Sequence, residues 1–487
     1  VAFYIGIDLG TSAIKVILLD EFQTEHAVIS VPLSVLRPHA GWSEQNPADW
    51  WQGAERALDQ LASQHPEKFS RLRAIGLSGQ MHGLVALDAE DAILRNAILW
   101  NDTRASSQAE VLDRSEPAFR KIGGNMVMAG FTAPKAVWMA HHEAALFARI
   151  KTILLPKDYL RLCLSGEKIS DMSDASGTLW LDIAQRRWSE MLLAASGLDI
   201  DQMPALVEGS QIGGYLRAEL AKKWGINHQV IIAGGAGDNA AAAIGLGIIR
   251  PEQSFVSLGT SGVVFSVTDR FVERADKAVH AFCHALPNCW HQMGVTLSAT
   301  DSLNWLSELL DQPVPDLLAQ MKLEDSTKAL PIFHPYLSGE RTPHNNPHAR
   351  GGFFGLARTD NAGDMARAIV QGVAFAIADA RDVLDCAKHL PDMMIATGGG
   401  ARNTYWLELI ASLTGCNVGV PHNADGGAAL GAARLGMMAD GMPVEAVCNA
   451  PEIVQIIYPN AQLAETLLPA RQASQFLLNT MPKFSSL

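Results

Sequence analysis

The chain has 487 residues, of which 48% are hydrophobic and 18% charged, and a formal net charge of −13. The length exceeds one ordinary core and predicts two or more domains. The negative balance argues against general nucleic-acid binding, and no apolar run reaches the roughly 18–20 residues of a membrane helix. The six cysteines, Cys163, Cys283, Cys289, Cys386, Cys416 and Cys448, form no C-x-x-C pair. Free thiols are therefore expected rather than a zinc site or a redox motif. The first residues are strand-like, with no stretch resembling a signal peptide, so a cytoplasmic protein without nucleic-acid or membrane partners is expected.

Taken in chain order, strand-like runs at Tyr4–Asp8, Ile14–Leu19 and Ala27–Leu33 predict an antiparallel meander. Asp8 closes the first run, and Gly10-Thr11-Ser12 makes the turn into the second. Such a turn can offer backbone N–H groups and hydroxyls to a phosphate. Asn46 as N-cap and Pro47 at N1 start a helix with Trp50, Ala54, Ala57, Leu58 and Leu61 on its apolar face. Strand Leu72–Ser78 then delivers Gln80-Met81-His82 to a loop, and Trp100-Asn101-Asp102 mixes an aromatic face with hydrogen-bonding groups, a combination suited to a sugar or polyol. Helical patterns follow at 133–148 and 186–196. Strand Gln229–Ala233 runs into Gly234-Gly235-Ala236-Gly237-Asp238-Asn239. Asp238 falls where a helix N-cap is expected, and a carboxylate there can also take a proton from an attacking hydroxyl.

The second half repeats the opening. Strands Ser254–Leu258 and Val263–Val267 flank Gly259-Thr260-Ser261, with Ser257 where the first copy has Asp8. Helical patterns lie at 299–311, 361–387, 402–414 and 426–438. Strand Met393–Thr397 leads into Gly398-Gly399-Gly400, a surface bare enough for an adenine or ribose to pack on backbone. Neither a Walker A loop nor a G-x-G-x-x-G fingerprint with its downstream acid is present. Pro335–Pro343 is rich in turn formers and reads as a surface loop or a contact between lobes. Two hairpins of this kind predict a duplicated domain with a nucleotide between the copies, and the boundary is placed at 1–248 and 249–487.

These segments together resemble the FGGY carbohydrate kinase family, within the actin/Hsp70/sugar-kinase superfamily. The resemblance is carried by Gly130-Phe131-Thr132-Ala133-Pro134-Lys135-Ala136-Val137-Trp138, by Gly351–Leu356 continuing through Asp364–Gln371, and by Gly426–Ala433. Ser78–Gly83, Leu99–Asp102, Leu155–Leu160 and Leu337–Pro343 add to it. It implies an α/β fold of two ribonuclease-H-like domains from a duplication, with a cleft between them. It also implies ATP-dependent phosphorylation of D-xylulose on its 5-hydroxyl, with ATP and Mg²⁺ required and a homodimer as a family-based expectation. Another ketose or polyol of the family, such as ribulose, gluconate or glycerol, is the alternative, and a non-catalytic ATP- and sugar-binding sensor is the rival class. By resemblance Asp238 is the catalytic base, and Asp8 is the second catalytic carboxylate, linked to Mg²⁺ through water. Gln80, Met81, His82, Trp100, Asn101, Asp102 and Asn239 would hold the sugar. Thr11, Ser12, Gly259, Thr260 and Ser261 would face the phosphates, and Gly399, Gly400 and Asn403 the adenosine.

Overall fold

The computed structural model describes residues 1–321, 329–385, 391–422 and 427–480. Two seven-stranded sheets organise it. The first contains β1 (Phe3–Leu9), β2 (Ala13–Asp20), β3 (Glu25–Pro32), β4 (Leu72–Gly79), β5 (Ile212–Tyr215) and β6 (Ile231–Ala233), in the order β5-β6-β4-β1-β2-β3. Residues Ala236–Gly237 add a short pairing to β4. The second contains β7 (Ser254–Leu258), β8 (Gly262–Thr268), β9 (His280–Cys283), β10 (Trp290–Thr296), β11 (Met393–Thr397), β12 (Asn417–Pro421) and β13 (Ile453–Ile457). Its order is β9-β10-β8-β7-β11-β12-β13.

The two sheets repeat one topology. In each, the first hairpin strand pairs antiparallel with the second (β1 with β2, β7 with β8) and parallel with a strand that arrives much later, β4 or β11. A further parallel strand follows, β6 or β12, and then an antiparallel edge, β5 or β13. Strand β9 is the addition in the second sheet. Parallel strands need crossovers, and helices supply them.

Helix α1 (Pro47–Gln64) forms as its caps predict: the Asn46 side chain accepts the Ala48 N–H at 3.1 Å, and Trp50, Ala54, Ala57, Leu58 and Leu61 are buried. Each such apolar side chain contributes about 1.5–3 kcal/mol for the larger members. The other helices that matter to the site are α2 (Pro156–Ser165), α3 (Asp238–Gly245), α4 (Ala362–Asp382), α5 (Thr404–Thr414) and α6 (Gly427–Ala439). Helix α6 comes from the second half but lies on the first sheet. A Cβ at Gly76 would sit 1.7 Å from the Ala432 carbonyl oxygen, and one at Gly6 2.0 Å from that of Ala429. Helix α6 also packs on α3, where a Cβ at Gly431 would sit 1.7 Å from the Ala241 carbonyl oxygen. Helix α6 thus lies between the first sheet and the helix that begins with Asp238, and a core containing Tyr4, Ile17, Phe265, Ala433 and Leu435 joins the two halves.

Several expected elements change length. The pattern at 133–148 is two helices, Thr132–His142 and Ala144–Phe147, broken at Glu143, which leaves helical geometry without a capping side chain. The 186–196 pattern yields only Glu190–Ala195, because Ser189 takes the N-cap and Arg187–Trp188 pairs with Leu181–Asp182. Strand Gln229–Ala233 starts at Ile231. The 402–414 helix starts at Thr404, after a 3-10 turn over Gly399–Arg402. The 361–387 helix ends at Asp382, and the 426–438 helix occupies Gly427–Ala439. Positions 386, 387 and 426 lie outside the described residues, as does the Cys386 thiol. The other five cysteines are free. Among the described residues no helix is long and apolar enough to cross a membrane.

Candidate active site

Asp8 stands at the end of β1, where its cross-strand neighbours are Lys15 on β2 and Ser78 on β4. The Ser78 hydroxyl donates to Asp8 Oδ1 at 2.9 Å. Burial lifts the Asp8 carboxyl above its usual range, against the Ser78 hydrogen bond and the Lys15 charge. The turn that follows is less open than its composition implies. Thr11 Oγ1 donates to Gln80 Oε1 at 2.9 Å and accepts from Trp100 Nε1 at 3.0 Å. Gln80 Nε2 in turn donates to Gln45 Oε1 at 2.9 Å. Thr11 and Gln80 therefore hold each other and the Trp100 ring, while Ser12 is exposed.

Beside this hairpin lies a cavity of about 280 Å³ lined from both halves of the molecule. Met81, His82, Trp100, Asp238 and Asn239 border it on one side, and Ser257, Gly259, Ser261, His280 and Arg341 on the other. Its volume and its mix of apolar walls with a few polar groups suit a small polar ligand. The helix N-cap at α3 is Gly237, so Asp238 is the first helical residue and not the cap. Its Oδ1 accepts from the Asn239 N–H at 2.7 Å and the Asn239 amide at 2.9 Å, which aims the carboxyl along its own helix start. Burial and then the charge of Asp8 raise the Asp238 pKa to about 6, against these two hydrogen bonds. A carboxyl poised near neutrality and facing a cavity is what a general base requires.

His82 adopts φ 68°, which turns its ring back onto the Gly177 carbonyl. Because that partner is an acceptor, Nδ1 carries the hydrogen at 2.7 Å and Nε2 keeps its lone pair. Burial holds the imidazole neutral, with a pKa of about 3. Below it, the buried Lys135 Nζ donates to the carbonyls of His82 and Gly130 at 2.8 and 2.7 Å, fixing the loop rather than a ligand.

Asp102 is fully engaged elsewhere. It accepts from the Ser43 N–H at 2.6 Å and from the Arg104 guanidinium at 2.7 and 2.9 Å, away from the cavity lining. Asn101 is also outside the lining, and its buried Oδ1 has no hydrogen-bond partner among the described residues. Gln80, Asn101 and Asp102 thus stand behind the wall that Met81, His82 and Trp100 form.

On the opposite side, Gly259 and Ser261 reach the cavity, whereas Thr260 is exposed and its carbonyl accepts the Ala299 N–H at 2.7 Å. Gly398, at φ 82°, lets β11 turn against the end of β7: a Cβ there would sit 2.7 Å from the Leu258 carbonyl carbon. Gly399 faces open space and Gly400 is buried beside Leu258. The Asn403 side chain caps α5, accepting the Trp406 N–H at 3.0 Å.

Two second-half contributors were not singled out from the sequence. Arg341, in the turn-rich 335–343 segment, donates to His280 Nε2 at 3.2 Å and lines the cavity. His280 is oriented from behind by Asn125, at 3.1 Å from Nδ1. The preceding Glu340 accepts from Thr296 Oγ1 at 2.6 Å and the Leu297 N–H at 3.0 Å, and burial raises its pKa to about 7. Only the unbroken Leu337–Pro343 motif pointed toward this region.

Among the described residues no cluster of three or more His, Cys, Asp or Glu gathers to hold a metal. Two carboxylates, Asp8 and Asp238, whose charges oppose each other, fit an ion that keeps most of its water. Mg²⁺ binds in that manner, and the caged geometry of Zn²⁺ does not.

A cavity between two α/β halves of repeated topology, with the glycine- and hydroxyl-rich second hairpin on one wall and a near-neutral carboxyl on the other, defines a phosphotransferase of the sugar-kinase fold. The chain belongs to the FGGY family of carbohydrate kinases: the family's N-terminal domain matches residues 3–245 and its C-terminal domain residues 255–439. It is 47% identical over 472 residues to a xylulose kinase of Escherichia coli (strain K12), covering 96% of this chain and 97% of that one. It is 46% identical to a xylulose kinase of Klebsiella pneumoniae, covering 90% of each chain. The crystal structure of a xyloylose kinase from Brucella ovis superposes with a TM-score of 0.93 at 49% identity, covering 98% of both chains.

Proposed function

We propose that this kinase transfers the γ-phosphoryl group of ATP to the 5-hydroxyl of D-xylulose, giving D-xylulose 5-phosphate. The observation that carries the reading is the Asp238 carboxyl, held near neutral pKa on the wall of a cavity that the second hairpin closes from the other side. The substrate follows from the relatives named xylulose kinase, which match along nearly the whole chain.

In this reading the domains divide at 248/249. The sugar lies against Met81, His82, Trp100 and Asn239, with His82 Nε2 accepting a hydrogen bond from a sugar hydroxyl. Gln80, through Thr11, holds the Trp100 ring. The 5-hydroxyl gives its proton to Asp238 while its oxygen attacks the γ-phosphorus and the bond to the ADP oxygen breaks. Gly259 and Ser261 offer an N–H and a hydroxyl to the phosphates, and Gly399 and Gly400 leave space for the adenosine, with Asn403 shaping it through the α5 cap. Phosphoryl transfer demands mainly positioning and charge neutralisation, and these groups supply both. Asp8, with Asp238 close by, would hold Mg²⁺ through water, and the ion would offset charge on the phosphate oxygens. The functional place is the cytoplasm, where ATP is available.

The test is coupled ADP release with MgATP and D-xylulose, D-ribulose, L-ribulose, glycerol, D-gluconate or no sugar. Strong preference for D-xylulose is expected. Preference for another polyol keeps the chemistry and replaces the substrate, and ADP release indifferent to every sugar overturns the kinase reading.

A further inference from the structure

Directly behind the cavity wall lies a group of charges that the reaction does not touch. Lys157, Asp158, Arg161, Asp171 and Asp174 are all fully buried. Lys157 Nζ lies 2.6 Å from Asp158 Oδ1, 2.8 Å from Asp171 Oδ1 and 3.1 Å from Asp174 Oδ2. Burying five ionisable side chains is costly, and a buried ion pair seldom stabilises more than apolar packing of the same volume. Three carboxyls against two cations leave one excess negative charge. Burial raises the Asp174 carboxyl well above its usual range, against the neighbouring Lys157 charge. A buried charge group of this kind is better suited to fixing geometry than to adding stability.

What it fixes can be followed bond by bond. The Arg161 guanidinium donates to the carbonyl of Ala233 at 2.5 Å and to that of Gly234, the first residues of the loop that carries Asp238. Asp171 Oδ2 accepts the Ser173 hydroxyl at 2.5 Å and the Ser173 N–H at 2.7 Å, capping the helical turn Met172–Ser176. That same Ser173 hydroxyl accepts the Gly237 N–H at 3.1 Å, one residue before Asp238. The turn ends at Gly177, whose carbonyl holds His82 Nδ1, and its Ser176 hydroxyl accepts the Cys283 N–H from the second sheet at 3.0 Å. His82 and the residue before Asp238 are therefore both tethered to one short helix, and that helix is tethered to the charges. Little slack is available: a Cβ at Gly237 would sit 2.8 Å from Met81 Sδ, and one at Gly177 2.7 Å from His82 Nδ1.

We infer that the Lys157–Asp158–Asp171–Asp174 group, with Arg161 and Ser173, is the positioning apparatus of the catalytic loop, setting Asp238 and the His82 ring in one frame. These are positioning residues, since they act through Asp238 and His82. The inference rests on the role proposed for Asp238. Phosphoryl transfer is sensitive to such placement, because an error of about 1 Å at a reacting group costs on the order of 10²-fold in rate.

Ser173→Ala removes the one hydroxyl that joins the charges to the Gly237 N–H and leaves every ion pair in place, so it is the gentlest probe. With whichever sugar the wild type turns over, kcat is expected to fall about tenfold while KM for ATP changes by less than about twofold. Arg161→Lys, which keeps the charge but cannot span both carbonyls, is expected to show the same split. Coupling gives the decisive readout: in an Asp238→Glu background, where the carboxylate is already displaced, Ser173→Ala should cost less than about twofold. A purely structural role would lower thermal stability and leave kcat unchanged below the transition, and that result overturns the inference. So would equal kcat losses from Ser173→Ala in both backgrounds. Wild-type turnover with no sugar at all would defeat the kinase reading instead, and is read separately in the sugar panel.

Discussion

The two sheets share a strand order but differ where it matters for function. On the first, Asp8 sits two residues before the turn glycine, flanked across strands by Lys15 and Ser78. On the second, the equivalent Ser257 is flanked by Val263 and Thr397. Two residues earlier, the paired Gly6 and Gly76 of the first sheet admit the backbone of α6, whereas the second sheet has Phe255 paired with Ile395. Phe255 stacks on Phe265 with centroids 4.7 Å apart. The hydroxyl of the first turn, Thr11, is tied to Gln80 and Trp100, while Gly259 and Ser261 of the second face the cavity. The first copy carries the carboxylate and ties its Thr11 hydroxyl to Gln80 and Trp100. The second has Ser257 in its place and leaves its turn open to the cavity. A repeated fold thus sets two equivalent turns in different surroundings, and their side chains make the difference.

The sharpest way to break the comparison is at the glycines. Gly76→Ala drives a Cβ into the α6 backbone and should cost more than about 3 kcal/mol, abolishing activity with the fold. Ile395→Val, at the equivalent place in the second sheet, should cost only about 0.5–1.5 kcal/mol. Denaturant unfolding of both variants distinguishes them. Next in size is the carboxylate asymmetry. Asp8→Asn should lower kcat by about 10²–10³-fold and raise the Mg²⁺ concentration needed for half-maximal rate, while Ser257→Ala should leave that concentration unchanged. Equal Mg²⁺ dependence in the two variants would contradict that asymmetry.

A smaller effect separates the turns. Ser261→Ala should raise KM for ATP by about 3- to 10-fold with little change in KM for the sugar. Thr11→Val should do the reverse, because the Thr11 hydroxyl anchors the Trp100 ring rather than a phosphate. Steady-state kinetics varying each substrate in turn reads this directly. Smaller still is the pH response. Asp238 must be ionised to accept a proton, so kcat/KM should rise with pH through about 6. Glu340 is also raised, to about 7, and Glu340→Gln must leave the rise in place. Stability runs the opposite way. A carboxyl whose folded pKa is raised favours the folded state when protonated, and that contribution is lost as pH climbs from about 4 to about 6. Asp238→Asn should therefore melt higher than the wild type at pH 7.5, and the difference should vanish below pH 4.

Much of this was legible in the sequence, for physical reasons. Strands with β-branched periodicity around a glycine turn announce themselves, which is why both hairpins and Met393–Thr397 stand where the pattern puts them. Helix α1 was equally plain from Asn46, Pro47 and its apolar spacing. Other features depend on partners hundreds of residues away. Thr11 and Gln80 look like ligand groups, and only the fold reveals that they bond each other. Asp102 likewise looks available until Arg104 and Ser43 close on it. Asp238 looked like a cap, but Gly237 takes that position, because the backbone and not the side-chain type decides where a helix begins. Strands β9 and β10, and with them His280, lie in a stretch rich in His and Cys whose alternation is weak, and Arg341 sits in the turn-rich 335–343 segment that meets His280 only in the fold.

The most direct test of the account is rapid-quench transfer from γ-labelled ATP to D-xylulose by Asp238→Asn, with ATP affinity measured by calorimetry on the same protein. The account predicts ATP binding within about twofold of the wild type and sugar phosphate formed at least about 10³-fold more slowly. Transfer at near the wild-type rate would contradict it, leaving Asp238 a residue of the wall and not the base.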